Sequence, residues 1–328
     1  MTQGIYLTQD EQRVTRAQIR ELNAGEFPDH DVTVAVEYST LNYKDALAIT
    51  GKGRVVRRFP IVPGIDLAGT ISASRSPNWK VGDKVIVNGW GLGEEHWGGL
   101  AQQARVDSGW LTALPATMTT KEAMGIGTAG YTAMLSVLAL EKHGVRADAG
   151  PVLVTGAGGG VGSISIAILA RLGYQVVAST GRMAESGHLR SLGAAEVIDR
   201  QLFAAAGKPL QQEKWQAAID CVGSHTLANV CASLRSGGVV TACGLAQGMD
   251  LPASVAPFIL RGISLIGINS VYAKPELRTQ AWGRLADSLP ELHLNAIARE
   301  ITLADTLRYA VELIDGKVLG RVIVNVNS

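Results

Sequence analysis

Three glycines at a fixed spacing form the first stretch of the sequence with recognisable chemistry. Gly156, Gly159 and Gly162 stand at i, i+3 and i+6, after the apolar run VLVT and at the start of an amphipathic run. In such a turn the first glycine allows a tight exit from a strand, the second lets backbone N–H groups approach a pyrophosphate, and the third lets a helix lie close to the sheet. Because a helix N-terminus attracts anions, the stretch predicts a dinucleotide site.

The elements around these glycines must place them at the edge of a sheet. The pattern predicts a buried strand at Val152–Thr155, a helix at about Val161–Leu172 and a second strand at Gln175–Ser179. A glycine pattern alone is common. Here it lies inside a βαβ unit of about 30 residues, which is the context that a dinucleotide-binding turn requires.

The end of the second predicted strand indicates which dinucleotide is bound. Proteins that bind NAD usually carry an Asp or Glu there, about 20 residues after the glycines, for the ribose 2′-hydroxyl. This chain has Ser179, Thr180, Gly181 and Arg182 instead. Because a guanidinium binds phosphate through a planar fork, the stretch favours the 2′-phosphate of NADPH. The alternative is a solvated surface arginine.

Length and composition limit the class of protein. The chain has 328 residues, of which 47% are hydrophobic and 18% charged, so it predicts two domains with substantial cores. The net charge of +1 argues against a nucleic-acid-binding protein. The three cysteines, few and odd in number, indicate reduced thiols and a cytoplasmic location. The N-terminal residues lack the pattern of a signal peptide.

Two uncharged runs, 123–140 and 151–170, are long enough to raise the question of a membrane span. The second run is the strand, turn and helix described above. The first is interrupted by Gly125, Gly127 and Gly130. Since a span needs about 20 predominantly apolar residues, both runs predict protein core and no membrane segment.

Strand and helix patterns divide the chain into two domains. Short strand patterns, such as the alternating Val32–Thr40, fill residues 1–120. Alternating strands and helices follow to about Ser270, which favours a parallel, doubly wound sheet. The last strand, GRVIVNV, is expected to return to the first domain. We predict an α/β protein with a β-rich barrel domain at 1–120 and 297–328 and a Rossmann domain at 121–296.

Six longer motifs, spread over almost the whole chain, carry a family resemblance. They are LNYKDALAITGKG (41–53), PGIDLAGT (63–70), GWGLGEEHWGGLAQQARV (89–106), GTAGYTAM (127–134), LGYQVVASTGR (172–182) and PFILRG (257–262). With them the chain resembles the medium-chain dehydrogenase/reductase superfamily and, within it, the acryloyl-coenzyme A reductase branch, once described as quinone oxidoreductases. The resemblance implies a GroES-like barrel, a Rossmann domain and NADPH-dependent reduction of acryloyl-CoA to propanoyl-CoA.

The sequence departs from the zinc-dependent members of this superfamily. Where they carry a catalytic cysteine this chain has Asn42, and where they carry Gly-His-Glu it has Gly64, Ile65 and Asp66. Asparagine and isoleucine do not supply the thiolate and imidazole of a catalytic zinc site, and no cysteine precedes Cys221. We therefore expect no metal, conjugate reduction rather than alcohol oxidation, and a structural hydrogen-bonding role for Asp66.

The resemblance also implies which side chains meet the nicotinamide and the substrate. Asn42, Tyr43 and Lys44 occupy the segment that approaches the nicotinamide in relatives, and we predict Asn42 and Tyr43 as catalytic residues. Tyr43 also matches a cofactor contact, and its hydroxyl could donate to the thioester oxygen or protonate the enolate. Solvent is the alternative proton source, and a satisfied core tyrosine the alternative structural role. Lys44 and Asp45 could form a local ion pair.

Further cofactor-binding positions follow from the same resemblance. They are Tyr43, Gly158, Gly159, Gly160, Val161, Thr180, Gly181, Arg182, Arg200, Leu245, Ile259, Ser270 and Gly316. The turn is expected to hold the pyrophosphate, and Thr180 to Arg182 the 2′-phosphate. Arg200 would close on the same phosphate or on the adenine. Leu245 and Ile259 have the alternative of being core residues.

The densest basic cluster indicates how the coenzyme A moiety could be held. Lys52, Arg54, Arg57 and Arg58 follow the LNYKDAL segment and could contact CoA phosphates, with an ordinary solvated surface as the alternative. His96, in a glycine-rich loop, is a candidate proton relay or a structural residue. The cysteines match no redox or metal spacing, which indicates core thiols.

Three functions are compatible with the sequence. The first is the reduction of a short enoyl-CoA ester such as acryloyl-CoA, a small-molecule substrate. The second is a zinc-free NADPH quinone or enone oxidoreductase, and the third is an NADPH-binding protein without turnover. A homodimer is expected, because SLIGINSVY could pair edge to edge across a twofold axis.

Overall fold

The computed structural model describes residues 2–288, 292 and 294–328. Its β-strands, in chain order, are β1 (Thr2–Gln9), β2 (Thr15–Leu22), β3 (Val32–Thr40), β4 (Asp66–Ser74), β5 (Lys84–Asn88), β6 (Gln103–Val106), β7 (Thr112–Ala113), β8 (Val152–Val154), β9 (Val176–Thr180), β10 (Glu196–Asp199), β11 (Trp215–Asp220), β12 (Leu234–Ala242), β13 (Ser264–Gly267), β14 (Ala298–Thr302) and β15 (Arg321–Asn325).

Helices connect most of these strands. They are α1 (Tyr43–Thr50), α2 (Thr120–Lys142), α3 (Gly160–Arg171), α4 (Ser186–Ser191), α5 (Ser224–Ser233), α6 (Ala256–Arg261), α7 (Pro275–Ser288), α8 (Leu294–Ile297) and α9 (Thr306–Ile314). Short 3-10 turns occupy Ala24–Glu26, Ser108–Trp110, Met183–Glu185 and Arg200–Phe203.

The chain divides into two compact units. The first comprises the described residues within Met1–Thr128, Val271–Ala286 and Leu294–Ser328, and the second those within Ala129–Ser270 and Asp287–His293. The predicted boundaries differ, since they placed 121–128, 271–286 and the short segment 294–296 in the Rossmann domain. The side chains explain the difference. The buried Arg278 donates from Nη1 to the Asn88 carbonyl (2.7 Å), which joins 271–286 to the first unit. Thr128 donates to Asp66, which joins 121–128 to the same unit.

The second unit contains a six-stranded parallel sheet in the order β10-β9-β8-β11-β12-β13. After β8 the chain winds outward through β9 and β10 and then returns to place β11 on the other side of β8. This reversal between β8 and β11 is the switch point where α/β proteins open a crevice at the carboxyl ends of their strands. The predicted doubly wound parallel sheet is confirmed.

The first unit is rich in antiparallel strands. A seven-stranded sheet has the order β14-β15-β3-β4-β5-β7, with β6 also paired to β3, while β1 and β2 form a separate hairpin. The predicted strand Val32–Thr40 has the observed bounds of β3, and its inward residues are fully buried. The final strand β15 pairs antiparallel with β3, so the predicted return of the C-terminal segment to this domain is confirmed.

Helix α2 has the length and hydropathy of a membrane span, and 83% of its most apolar window is buried inside the fold. Gly127, with φ 51° and ψ −163°, interrupts its helical geometry. The burial agrees with the predicted role of this run as core.

Candidate functional site

The glycine-rich turn lies between β8 and α3, at the carboxyl edge of the parallel sheet. Gly156 takes φ 61°, the Gly159 N–H donates to its carbonyl oxygen (2.9 Å), and Gly159 caps α3. A Cβ placed on Gly162 would lie 2.7 Å from the Ala157 Cα, so α3 approaches the strand exit more closely than any other residue type allows. Helix α3 is twelve residues long and directs its free N–H groups at this turn.

The predicted phosphate-binding residues follow one another at this helix start. Gly158 is buried beneath the turn, whereas Gly159 is exposed and Gly160 and Val161 are partly exposed. Backbone N–H groups that are open to solvent at the positive end of a helix are suited to a pyrophosphate. The turn therefore fits the phosphate part of a dinucleotide.

Arg182 joins the turn to the end of β9. Its Nη2 donates to the Gly158 carbonyl oxygen (3.1 Å), and its backbone N–H donates to the Thr180 hydroxyl (3.1 Å). Its Nε also lies 3.0 Å from a Glu185 carboxylate oxygen. The predicted turn and the predicted 2′-phosphate loop are thus neighbours, and Glu185 competes with a phosphate for the Arg182 guanidinium.

The Arg200 side chain lies close to Gly181. A Cβ on Gly181 would come within 2.7 Å of the Arg200 Cζ, which shows how closely the guanidinium covers that backbone. Asp199 is the ladder partner of Thr180, and its carboxylate accepts a hydrogen bond from the Gln201 backbone N–H (2.9 Å) at the start of the following turn. Two guanidiniums and a hydroxyl at the end of β9, with no carboxylate in residues 176–182, fit a 2′-phosphate.

The remaining predicted contacts of the second unit are less closely grouped. Leu245 is 61% exposed in the loop after β12, where its Cα would lie 3.3 Å from a Cβ on Gly223. Ile259 is 73% exposed on α6, so neither residue has the alternative core role. Ser270 is partly exposed beyond β13.

In the first unit, Tyr43 is the first residue of α1 and its side chain is 52% exposed. Asn42 caps this helix in a reciprocal arrangement, since the Asp45 carboxylate accepts from the Asn42 backbone N–H (2.8 Å). The exposed ring of Tyr43 is therefore carried on a firmly capped helix start, which excludes the alternative of a buried tyrosine.

The Asn42 amide connects three buried charged groups. Its Nδ2 donates to Asp66 (2.7 Å) and to Asp45 (3.1 Å), and its Oδ1 accepts from Arg321 Nη1 (2.8 Å). Asp45, Asp66 and Arg321 are 1%, 0% and 3% exposed. Because both amide hydrogens and the amide oxygen are already engaged, the geometry favours Asn42 as a positioning residue for Tyr43 rather than as the predicted catalytic group.

Asp66 has the structural role expected from the sequence. Besides Asn42 it accepts hydrogen bonds from the backbone N–H (3.0 Å) and the hydroxyl of Thr128. The break in α2 makes this possible. A Cβ on Gly127 would lie 3.0 Å from Asp66 Oδ2 and would also collide with the Arg321 guanidinium.

Burial dominates the electrostatics of this cluster. Desolvation, with the nearby charge of Asp66 as a smaller cause, raises the pKa of Asp45 to about 7, although the carboxylate accepts hydrogen bonds from Asn42 and Ile65. Burial also lowers the pKa of the Arg321 guanidinium, against the raising effect of both carboxylates. Arg321 further donates to the Thr40 hydroxyl (2.7 Å) and the Gly125 carbonyl (3.3 Å).

Sequence reasoning missed Arg321 and Thr128, and it misplaced Asp45. The local Lys44–Asp45 ion pair that the sequence left open as an alternative is not found, because Lys44 pairs with Glu94 (2.9 Å) while Asp45 turns inward to cap α1. The spacing of Asn42 and Asp45, cap and third helical residue, was the available signal for this cap. For Arg321 the only signal was a charge at the start of the apolar run RVIVNV.

Two other predicted residues lie elsewhere in the first unit. Gly316 takes φ 70° just after α9, the helix that packs against α1. The centre of the His96 ring lies 4.7 Å from that of Trp110, in a tilted arrangement, and 5.7 Å from that of His30, edge to face. Burial and the charge of His30 lower its pKa, which fits the structural alternative for this residue. Among residues 2–288, 292 and 294–328, no group of three or more His, Cys, Asp or Glu side chains is arranged to hold a metal ion.

Comparison with protein families finds two matching domains. A model of the alcohol dehydrogenase GroES-like domain matches residues 28–116, and a model of the zinc-binding dehydrogenases matches residues 160–287. The two matches fall on the antiparallel sheet and on the parallel sheet respectively.

Individual relatives cover the whole chain. The chain is 50% identical to the probable acrylyl-CoA reductase AcuI of Escherichia coli (strain K12) over 99% of its own length and 100% of the relative. It is 47% identical to the acrylyl-CoA reductase AcuI of Ruegeria pomeroyi, with 100% of both chains covered. The crystal structure of the yhdH oxidoreductase from Salmonella enterica in complex with NADP superposes with a TM-score of 0.97 at 50% identity and covers 99% of each chain.

Proposed function

Since the chain belongs to the medium-chain dehydrogenase/reductase superfamily, we propose that it is an NADPH-dependent acrylyl-CoA reductase. It would reduce the activated double bond of acryloyl-CoA and release propanoyl-CoA. The observation that carries this proposal is the full-length identity of about one half to two acrylyl-CoA reductases. Arg182, just after β9, and Arg200, which follows β10 and lies against Gly181, support the choice of NADPH where an NAD site would have a carboxylate.

We assign the binding of NADPH chiefly to the second unit. The turn at Gly158 to Val161 would hold the pyrophosphate, and Thr180, Gly181, Arg182 and Arg200 the 2′-phosphate. The further contacts proposed are Tyr43, Leu245, Ile259, Ser270 and Gly316. When bound, NADPH supplies the hydride that adds to the β-carbon of the thioester.

Tyr43 is the proposed donor on the substrate side. During conjugate reduction negative charge develops on the thioester oxygen, and a preorganised hydroxyl can stabilise it. Asn42, through its bonds to Asp45, Asp66 and Arg321, holds the helix start that carries Tyr43. We propose that no metal takes part. Where the zinc-dependent members of the superfamily carry a zinc-binding cysteine, this chain has Asn42, whose amide is already hydrogen-bonded to Arg321, Asp45 and Asp66. A Tyr43→Phe substitution removes the hydroxyl and keeps the ring that is the proposed cofactor contact, so it should lower kcat/KM about tenfold without changing the affinity for NADPH.

The basic cluster is the proposed site for the CoA phosphates. Lys52, Arg54, Arg57 and Arg58 are all exposed, and Arg57 is paired with Glu95. Replacing Arg57 and Arg58 together by alanine should raise KM for acryloyl-CoA about tenfold and leave NADPH affinity unchanged. Arg75→Ala is the matched control, since Arg75 is likewise paired with a carboxylate and is as exposed as Arg57, at 67%. An unchanged KM in the double variant would remove this assignment.

We propose that the enzyme is a cytoplasmic homodimer. The cysteines are free thiols, which suits a reducing compartment. Strand β13 lies at one end of the parallel sheet, so its outer edge is available to pair with the same strand of a second copy. Light scattering after size-exclusion chromatography should give twice the chain mass, and the mass of one chain would contradict the dimer.

Steady-state NADPH oxidation tests the substrate and the cofactor together. The purified protein would be assayed with acryloyl-CoA and, in parallel, with a simple quinone, with NADH as the cofactor control. Efficient turnover of acryloyl-CoA with NADPH and slow turnover of the quinone is the expected result. Fast quinone turnover with inert acryloyl-CoA would instead establish the quinone oxidoreductase. NADPH binding without any turnover would establish a binding protein.

A further inference from the structure

Cys221 and Cys243 lie opposite each other at the end of the parallel sheet. They directly follow β11 and β12, whose last residues, Asp220 and Ala242, are ladder partners. The Cys243 N–H donates to the Asp220 carbonyl oxygen (2.9 Å), so the pairing of the two strands continues to the cysteines. Neighbouring strands are about 4.8 Å apart, and a disulfide requires Cα atoms about 4.4–6.8 Å apart. The sulfur atoms are already 3.8 Å apart.

These two thiols differ from the third cysteine in exposure. Cys221 and Cys243 are free and partly exposed, whereas Cys231 is free and fully buried on α5. The pair is therefore more accessible to a small oxidant than Cys231 is. Cys231 is set apart from the pair by its burial, which raises the pKa of its thiol to about 12.

The pair borders the dinucleotide turn. A Cβ on Gly156, the first glycine of that turn, would lie 3.2 Å from the Cys221 Cβ, and the Cys221 N–H donates to Thr155 Oγ1 (3.0 Å) at the exit of β8. Cys221 thus stands at the β8/β11 switch point. Gly244, which follows Cys243, packs so closely that its Cβ would come within 2.9 Å of the Cys221 Cα.

We propose that Cys221 and Cys243 form an oxidative modification site, in which a hydroperoxide converts the dithiol to a disulfide and the disulfide lowers the affinity for the dinucleotide. The effect on affinity rests on the proposed NADPH-binding function, whereas the disulfide itself does not.

The chemistry balances with one molecule of hydrogen peroxide. The thiolate of one cysteine attacks a peroxide oxygen, the O–O bond breaks, and a sulfenic acid and water form. The second thiol then attacks the sulfenic sulfur, the S–S bond forms, and a second water leaves. The contact between the sulfurs and burial raise the pKa of the Cys221 thiol, which disfavours Cys221 as the attacking thiolate. Both thiols are oxidised by two electrons in total.

Closing the bond must alter the crevice. The sulfurs would approach from 3.8 Å to about 2.05 Å, and Cys221 is held in tight contact with Gly156 and Gly244. The same loops carry Gly223 and Leu245. By linkage, bound NADPH must oppose the oxidation by the same factor by which the disulfide opposes NADPH binding.

The test combines a thiol count with a binding measurement. The full-length reduced protein would be treated with hydrogen peroxide, with and without NADPH, and its thiols counted after unfolding. Peptide mapping would locate any 221–243 bond. Fluorescence titration of the reduced and oxidised protein would give Kd for NADPH. Cys221→Ala and Cys243→Ala remove the pair, and Cys231→Ala is the matched control.

We expect the wild-type and Cys231→Ala proteins to lose two thiols reversibly, and the two pair variants to form no intramolecular disulfide. Kd should rise at least about fivefold on oxidation, and saturating NADPH should slow the loss of thiols. If the treated wild-type protein still had three thiols, no disulfide would have formed, and this result alone would overturn the proposal. A mapped disulfide with unchanged Kd would overturn the coupling. Reduced protein that does not bind NADPH would refute the proposed function and the coupling, while the thiol count would still decide the disulfide.

Discussion

The glycine-rich turn and the polar cluster beneath α1 are built in opposite ways. The turn is made from consecutive residues, and its hydrogen bonds run between near neighbours such as Gly156 and Gly159. The cluster brings together Asn42 with Asp66, 24 positions away, and with Arg321, 279 positions away. The turn offers backbone N–H groups and free space, whereas the cluster buries charges. Perturbing the turn should therefore mainly reduce cofactor affinity, and perturbing the cluster should mainly reduce stability.

The largest effect is expected for Arg321→Met. Removing the guanidinium leaves the buried carboxylates of Asp45 and Asp66 without a compensating charge, and such losses cost about 3–5 kcal/mol of unfolding free energy. Urea unfolding would measure this. Arg308→Met, which removes an exposed arginine with two carboxylate partners, should cost less than about 1 kcal/mol. Equal losses in the two variants would contradict the contrast between cluster and surface.

The pH dependence of the unfolding free energy should reveal the raised pKa of the Asp45 carboxyl group. Its pKa is raised from 3.8 to about 7 on folding, so between these values the folded chain holds more protons than the unfolded chain. This contribution to stability is complete below about pH 4 and is lost as the pH rises through about 7, by at most ~4 kcal/mol.

Asp45→Asn should remove that part of the slope. Urea unfolding of wild type and variant at several pH values from 4 to 8 would show a difference between them that shrinks or changes sign as the pH rises. Asp250→Asn, at an exposed carboxylate, is the control for losing one acidic group. A difference between Asp45→Asn and wild type that stays constant across the range would refute a raised Asp45 pKa.

In the turn, Gly162→Ala should weaken NADPH binding about 100-fold, or ~2.7 kcal/mol. The added methyl group would collide with the backbone of Gly156 and Ala157 and push α3 away from the strand exit. Gly187→Ala is the matched control, because a Cβ there meets no atom within 4 Å. Titration of both variants, with circular dichroism to verify folding, decides the question. Binding within threefold of wild type would show that the close approach is not needed.

The smallest effect concerns the choice between NADPH and NADH. Arg200→Ala should raise Kd for NADPH about tenfold and leave Kd for NADH unchanged, since only the 2′-phosphate is lost as a partner. The exposed Arg190 lies on α4 and donates to the Ala195 carbonyl oxygen, and it supplies the control variant Arg190→Ala. Equal weakening for both cofactors would indicate that Arg200 contacts the adenine instead.

Much of the cofactor half could be predicted because its signals are local. The predicted first strand, helix and second strand of the βαβ unit differ from β8, α3 and β9 by one residue at each shifted end. Buried apolar runs and glycines that need close approach leave patterns within about 30 residues. The family, the fold class and the return of the last strand to the first domain were likewise accessible from the sequence.

The amino-acid sequence by itself determined the dinucleotide turn, the absence of a carboxylate after β9 and the motifs of the superfamily. Only the tertiary structure decided that Arg321 bonds to Asn42, that Lys44 pairs with Glu94, and that Cys221 meets Cys243. The physical reason is that such contacts depend on which strands become neighbours. A single arginine, lysine or cysteine belongs to no periodic pattern from which its partner could be predicted. Its partner depends on which strands become neighbours in the folded sheets.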